Sequence, residues 1–148
     1  MDTPGEVQFR TLPADYRALG TIIDFVASRS PFADYKAKDV LAALRDQVAT
    51  GCHVCAFRGK SLVGYCGWLP ITEEMGKLWL QGKGGLSPAP ADRCDAAALT
   101  IVCSEDAHVL RGLVRVCRDV GKGRRVFFKR VYADTTRDER RQTVPNRR

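Results

Sequence analysis

The 148-residue chain predicts an α+β fold: a mixed, mostly antiparallel sheet with helices on both faces. Three observations lead there. The first is the stretch from His53 to Leu69, HVCAFRGKSLVGYCGWL, whose two runs rich in β-branched and aromatic residues flank Arg58-Gly59-Lys60-Ser61. The glycine suits the positive φ of a tight hairpin turn, so the runs read as antiparallel strands. Second, both alternating sets of the second run are apolar or small, Leu62, Gly64, Cys66 and Trp68 on one side and Val63, Tyr65, Gly67 and Leu69 on the other. A strand of that kind is covered on both faces. Glycines 64 and 67 inside it mark a bulge or a close approach, and simple packing accounts for them more readily than a bound ligand does. The third observation is the order of the remaining elements, β-α-α before the hairpin and a short helix, then β-α-β, after it.

The elements follow in turn. Val7–Leu12 alternates as a short strand, and Pro13-Ala14-Asp15 opens a helix whose stripe is Leu19, Ile22, Ile23 and Val26. A second helix begins near Asp39 as N-cap, places Leu41, Leu44 and Val48 on one face, and stops at Gly51. After the hairpin, Thr72-Glu73-Glu74 opens a short helix through Leu80, and Gly82–Asp92 is a loop without periodicity, the segment expected to move most. Ala96–Cys103 reads as a buried strand. Ser104 with Glu105 and Asp106 starts a helix that turns Ala107, Leu110, Val114 and Cys117 inward and Arg111, Arg115 and Arg118 outward. Arg125–Tyr132 is the last strand expected. From Thr135 the chain has nothing to bury, giving a domain over residues 1–134 and a basic C-terminal tail over 135–148.

Composition narrows the function classes. No apolar run approaches a membrane span and the N-terminal residues lack the features of a signal peptide, so the expectation is a cytoplasmic protein with all six cysteines reduced. Of 24 Lys and Arg, 13 lie between Arg111 and Arg148 against 4 acidic residues, whereas residues 1–110 hold 11 basic and 13 acidic. The positive excess is thus confined to the last quarter, a surface for an acidic protein, nucleic acid or phosphate. Phe127 and Phe128 are adjacent and fall on opposite strand faces, so no stacking platform favours nucleic acid. Cys52-x-x-Cys55 has chelating spacing but no second pair to complete a site, and no metal or resident cofactor is expected.

Strand, two helices, central hairpin and strand-helix-strand together resemble the Gcn5-related N-acetyltransferase (GNAT) superfamily over nearly the whole chain. VQFRTLPADYRALGTIIDFV is similar to its first strand and helix, and FRGKSLVGYCGW to its central hairpin. Within it the chain is most similar to the bacterial lysine acyltransferases that activate RTX toxins, through Ser30-Pro31, Val63-Gly64-Tyr65-Cys66-Gly67-Trp68 and RVFFKRVY. That resemblance implies transfer of a fatty acyl group from acyl carrier protein to a protein lysine. It also implies a histidine where this chain has Ala33 and an aspartate where it has Thr100 or Ile101, so both of the family's catalytic positions are substituted. The superfamily's glycine-containing pyrophosphate loop is replaced by Cys103-Ser104-Glu105-Asp106-Ala107-His108. Backbone amides at a helix start can still take a phosphate, but Glu105 and Asp106 would repel one.

The ionisable groups left for proton transfer are His108, because imidazole is the side-chain type suited to proton transfer near neutral pH, and the acids Glu73 and Glu74, which can deprotonate an amine. Each has a plainer reading, as a surface histidine and as acids at a positive helix end. Tyr132 is a further proton donor by position. Three functions stay open: an acyltransferase served by acyl carrier protein; a catalytically degenerate protein of the same fold that acts as a structural or binding part of a larger assembly such as a phage particle or secretion apparatus; and, ranked behind both, a nucleic-acid binder acting through the arginine-rich end.

Overall fold

The computed structural model describes residues 5–130 and 140–145. The chain divides into two compact units, Met1–Gly67 with Ile101–Cys117, and Trp68–Thr100 with Arg118–Arg148.

In the first unit, β1 (Val7–Arg10) pairs antiparallel with β2 (His53–Arg58), and β2 pairs antiparallel with β3 (Ser61–Ile71), whose first seven residues belong to this unit. Gly59 closes the hairpin at φ 61°, as its turn requires. The register slips between Ala56, opposite Gly64, and Phe57, opposite Leu62, which leaves Val63 of β3 as the extra residue of a bulge. The last four residues of β4 (Ala96–Ser104) continue the sheet beyond β3.

One face of this sheet is covered by α1 (Tyr16–Ala27) and α2 (Ala37–Thr50), joined by a 3₁₀ turn at Phe32–Asp34. Ile22, Val26 and Leu44 are fully buried there with Cys55, Phe57, Tyr65 and Ile101, each aliphatic side chain being worth about 1.5–3 kcal/mol. The other face carries α4 (Ala107–Val120), with Val109, Gly112 and Leu113 buried. Helix starts differ from the sequence expectation. The Asp15 carboxylate accepts the Ala18 amide at 2.7 Å, so α1 begins at Tyr16 and Pro13 lies ahead of it. Asp39 sits inside the first turn of α2, and the capping position is Lys36. Gly51 ends α2 in the left-handed region, as anticipated.

A buried polar network crosses this core. His53 Nε2 accepts the Leu12 amide at 3.0 Å, so its proton resides on Nδ1, which donates to the Gln47 carbonyl at 3.0 Å. The Tyr65 hydroxyl donates to Gln47 Oε1 at 2.6 Å. Gly67 leaves the space this amide occupies, since a β-carbon there would overlap Gln47 Oε1. Burial lowers the pKa of His53, and the Gln47 carbonyl offsets only part of that.

In the second unit, the end of β3 leads into α3 (Glu73–Leu80), and the opening residues of β4 pair in parallel with β5 (Arg125–Arg130), Ala96 opposite Arg125 through Leu99 opposite Phe128. Ile71, Ala96, Ala98 and Phe127 form its core, with Met75, Trp79 and Leu80 of α3 packed on it. The loop after α3 is tied back by the Ala89 amide on the Pro70 carbonyl at 2.9 Å and contributes Leu86 to that core. Arg140–Pro145, expected to belong to a tail, forms β6 antiparallel to β5. Backbone pairing to an edge strand needs no apolar side chains, which is why a polar segment can add to a sheet. Tyr132 lies outside the described residues.

Candidate functional site: two acidic helix starts

Ser104-Glu105-Asp106 and Thr72-Glu73-Glu74 share a sequence pattern, a hydroxyl residue followed by two acids. They fold differently. At α3 the Thr72 hydroxyl accepts the Met75 amide at 3.2 Å and is the cap, as the sequence predicts. Both glutamates are therefore left over. Glu73 is paired with Lys77 at 3.8 Å and Arg125 at 3.7 Å, while its backbone amide donates to Asp95 Oδ1 at 2.8 Å. Glu74 is exposed and has no ion-pair partner among the described residues.

At α4 the cap is Asp106 rather than Ser104: Asp106 Oδ1 accepts the Val109 amide at 2.9 Å, and the Ser104 hydroxyl donates to the Asp106 carbonyl at 3.1 Å. The second Asp106 oxygen meets Arg58 at 3.4 Å. The Val109 amide above all, and then Arg58, hold this carboxyl below its ordinary value. Glu105 joins Arg29 and Arg58, each at 3.7 Å, and its amide donates to the Val63 carbonyl at 2.9 Å. The sequence reading missed these two arginines. Arg58 stands beside the hairpin glycine and Arg29 at the end of α1, where a positive charge reads as solvated surface. The structure thus supplies both acids with counter-charges, and the amide cluster of this helix start is already engaged by Asp106.

His108 is exposed in the first turn of α4, in the first unit, whereas Glu73 and Glu74 lie in the second. Among the positions that the family resemblance singled out, Ala33 lines an apolar hollow of about 340 Å³ with Ile23, Ala27, Phe32, Tyr35 and Val40. Ile101 is buried in the core under α1 and α2. No group of His, Cys, Asp and Glu suited to a metal ion is present among the described residues. All six cysteines are free thiols, and among the described residues no helix is long and apolar enough to cross a membrane.

No family model and no curated protein matches the chain. Solved structures do. The loading GNATL domain of CurA from Lyngbya majuscula aligns with a TM-score of 0.58 at 9% identity, over 88% of this chain and 68% of that one. A mosquito arylalkylamine N-acetyltransferase like 5b gives 0.56 at 11% identity, over 84% and 76%. A GNAT-family acetyltransferase from Streptococcus agalactiae gives 0.54 at 10% identity, over 88% and 79%. At these identities the likeness is one of architecture, and the chain has the α+β fold of the GNAT acetyltransferases.

Proposed function

We propose that the chain is an acyltransferase that moves an acyl group from a thioester, carried by acyl carrier protein, to a lysine amine of a protein. The observation that carries this reading is the likeness in fold to acetyltransferases across more than four-fifths of the chain. Acyl transfer to an amine needs the ammonium to lose a proton before its lone pair attacks the thioester carbonyl, and it needs the thiol leaving group to regain one. With Ala33 and Thr100 or Ile101 unable to ionise at the two family positions, the acceptor is Glu74 or His108, both exposed and both without an ion pair among the described residues. Glu73 is the weaker candidate, because Lys77 and Arg125 already share its carboxylate. Arg111 and Arg115, exposed on α4, suit an acidic carrier protein.

A second reading is favoured by the start of α4. Asp106 occupies the amide that a donor's phosphate would use, and Glu105 adds a second negative charge beside it. This fits a catalytically degenerate protein that keeps the fold as a binding part of a larger assembly. The test is to incubate the chain with acyl carrier protein and coenzyme A thioesters and to follow acylation of itself and of co-purifying proteins by intact mass. Acyl transfer that falls in Glu74→Gln or in His108→Ala supports the first reading and names the acceptor. Absence of donor binding and of transfer, with stable co-purification in a large assembly, supports the second.

A further inference from the structure

We infer that Cys66 and Cys117 are a peroxide-reactive dithiol that closes into a disulfide between β3 and α4. Helix α4 packs directly on the strand at Gly64, where a β-carbon would fall 2.6 Å from Val109 Cγ1 and 2.9 Å from Leu113 Cδ1. Two residues farther along the same strand face, about 6.7 Å on, is Cys66. One turn farther along the helix from Leu113, about 6 Å on, is Cys117. The Glu105 amide on the Val63 carbonyl sets the start of α4 beside the start of β3, so helix and strand run the same way; the two steps nearly match, and the packing that sets Leu113 over Gly64 brings Cys117 over Cys66.

The surroundings separate their roles. Cys66 is 2% exposed, whereas Cys117 is half-buried and reachable from solvent. Cys55 and Cys103 are buried on the opposite sheet face with α1 and α2. Cys52 points to the Thr50 carbonyl and Cys94 to that of Ala96. Hydrogen peroxide would oxidise Cys117 to a sulfenic acid, releasing one water. Sulfur of Cys66 then attacks sulfur of Cys117. The S–O bond breaks and hydroxide leaves as a second water, taking up the Cys66 proton. The two thiols lose two electrons in total and the peroxide gains them. This site does not depend on the acyl-transfer reading, and its chemistry involves neither Glu74 nor His108.

The test is to treat the reduced full chain with graded hydrogen peroxide, alkylate the remaining thiols, and map peptides without reduction. The expected result is loss of two thiols per chain, a fall in mass of roughly 2 Da, and a linked peptide joining Cys66 to Cys117 that dithiothreitol releases. In Cys66→Ala the sulfenic acid on Cys117 should persist long enough for trapping by dimedone, and in Cys117→Ser both signals should vanish. If one variant fails to fold, the other together with the wild-type map still decides. Retention of all six thiols, a Cys55–Cys103 link in place of this one, or passage of Cys117 straight to sulfinic acid with Cys66 still free would overturn the inference.

Discussion

The starts of α3 and α4 carry nearly the same three residues and put them to opposite use. At α3 a threonine hydroxyl caps the helix and leaves Glu74 without an ion pair among the described residues, while at α4 an aspartate caps it and both acids are drawn into ion pairs with Arg29 and Arg58. The difference comes from two residues of phase. Glu105 donates its amide to Val63 on β3, so the chain is still strand-bound there and the helix cannot begin until Ala107. Capping then falls to Asp106. An acidic helix start is thus either a structural cap or a free carboxylate, and the neighbouring strand decides which.

Several measurements can break or sharpen that contrast. The largest effect expected is on the pH dependence of stability, and it belongs to neither start. His53 holds a neutral ring between two backbone partners, so its folded pKa lies below that of the unfolded chain. Unfolded molecules then bind the extra proton first. Stability is complete above about pH 6.5 and falls as the pH drops below it, with a slope of at most about 1.4 kcal/mol per unit. Urea denaturation between pH 7.5 and 5.5 reads this slope directly, and Asp106→Ala should lower the whole curve without changing the slope, because Asp106 titrates below this window.

Among the helix-start variants, Asp106→Ala should lower the thermal midpoint most and Asp106→Asn should recover most of the loss, since asparagine also accepts the Val109 amide. Equal losses in the two would show that charge rather than capping matters there. At α3, Thr72→Ala should cost about 1 kcal/mol. Ser104→Ala, the residue of matching position at α4, should stay within about 0.5 kcal/mol. The smallest effect is expected of Glu73→Gln, whose pairs with Lys77 and Arg125 are half-exposed and worth about 0–1 kcal/mol, less at high salt.

How much of this was legible beforehand follows the same physics. The hairpin, the Thr72 cap and the Gly51 stop rest on local chemistry, so the residues announce them. The inward face of α4 does not. Its sequence carries two apolar stripes and predicts Ala107, Leu110, Val114 and Cys117 inward, whereas the sheet buries Val109, Gly112 and Leu113 and leaves Leu110 38% and Val114 40% exposed. The choice is made by glycines: Gly112 takes the Phe9 ring and Gly64 takes Val109 and Leu113, and a residue without a side chain contributes nothing to an apolar stripe. Gln47 and His53 are not legible as a buried pair for a similar reason, because their partners come from the segment after β1, from β3 and from the main chain. Of the candidate site, the sequence names Glu73, Glu74 and His108 but does not tell Glu73, shared by two cations, from Glu74, which has no ion pair among the described residues. Ion pairing depends on β5 and on the helix turn, which local pattern does not show.

The contrast between the two starts is tested most directly by the rate of acyl transfer to a lysine peptide in Glu74→Gln and Asp106→Asn, measured side by side with an acyl carrier protein thioester. If the unpaired carboxylate accepts the proton and the capping one only holds a helix, Glu74→Gln should lose roughly 100-fold or more in rate, and Asp106→Asn should stay near wild type. The reverse pattern, with Asp106→Asn inactive and Glu74→Gln unaffected, would contradict the account.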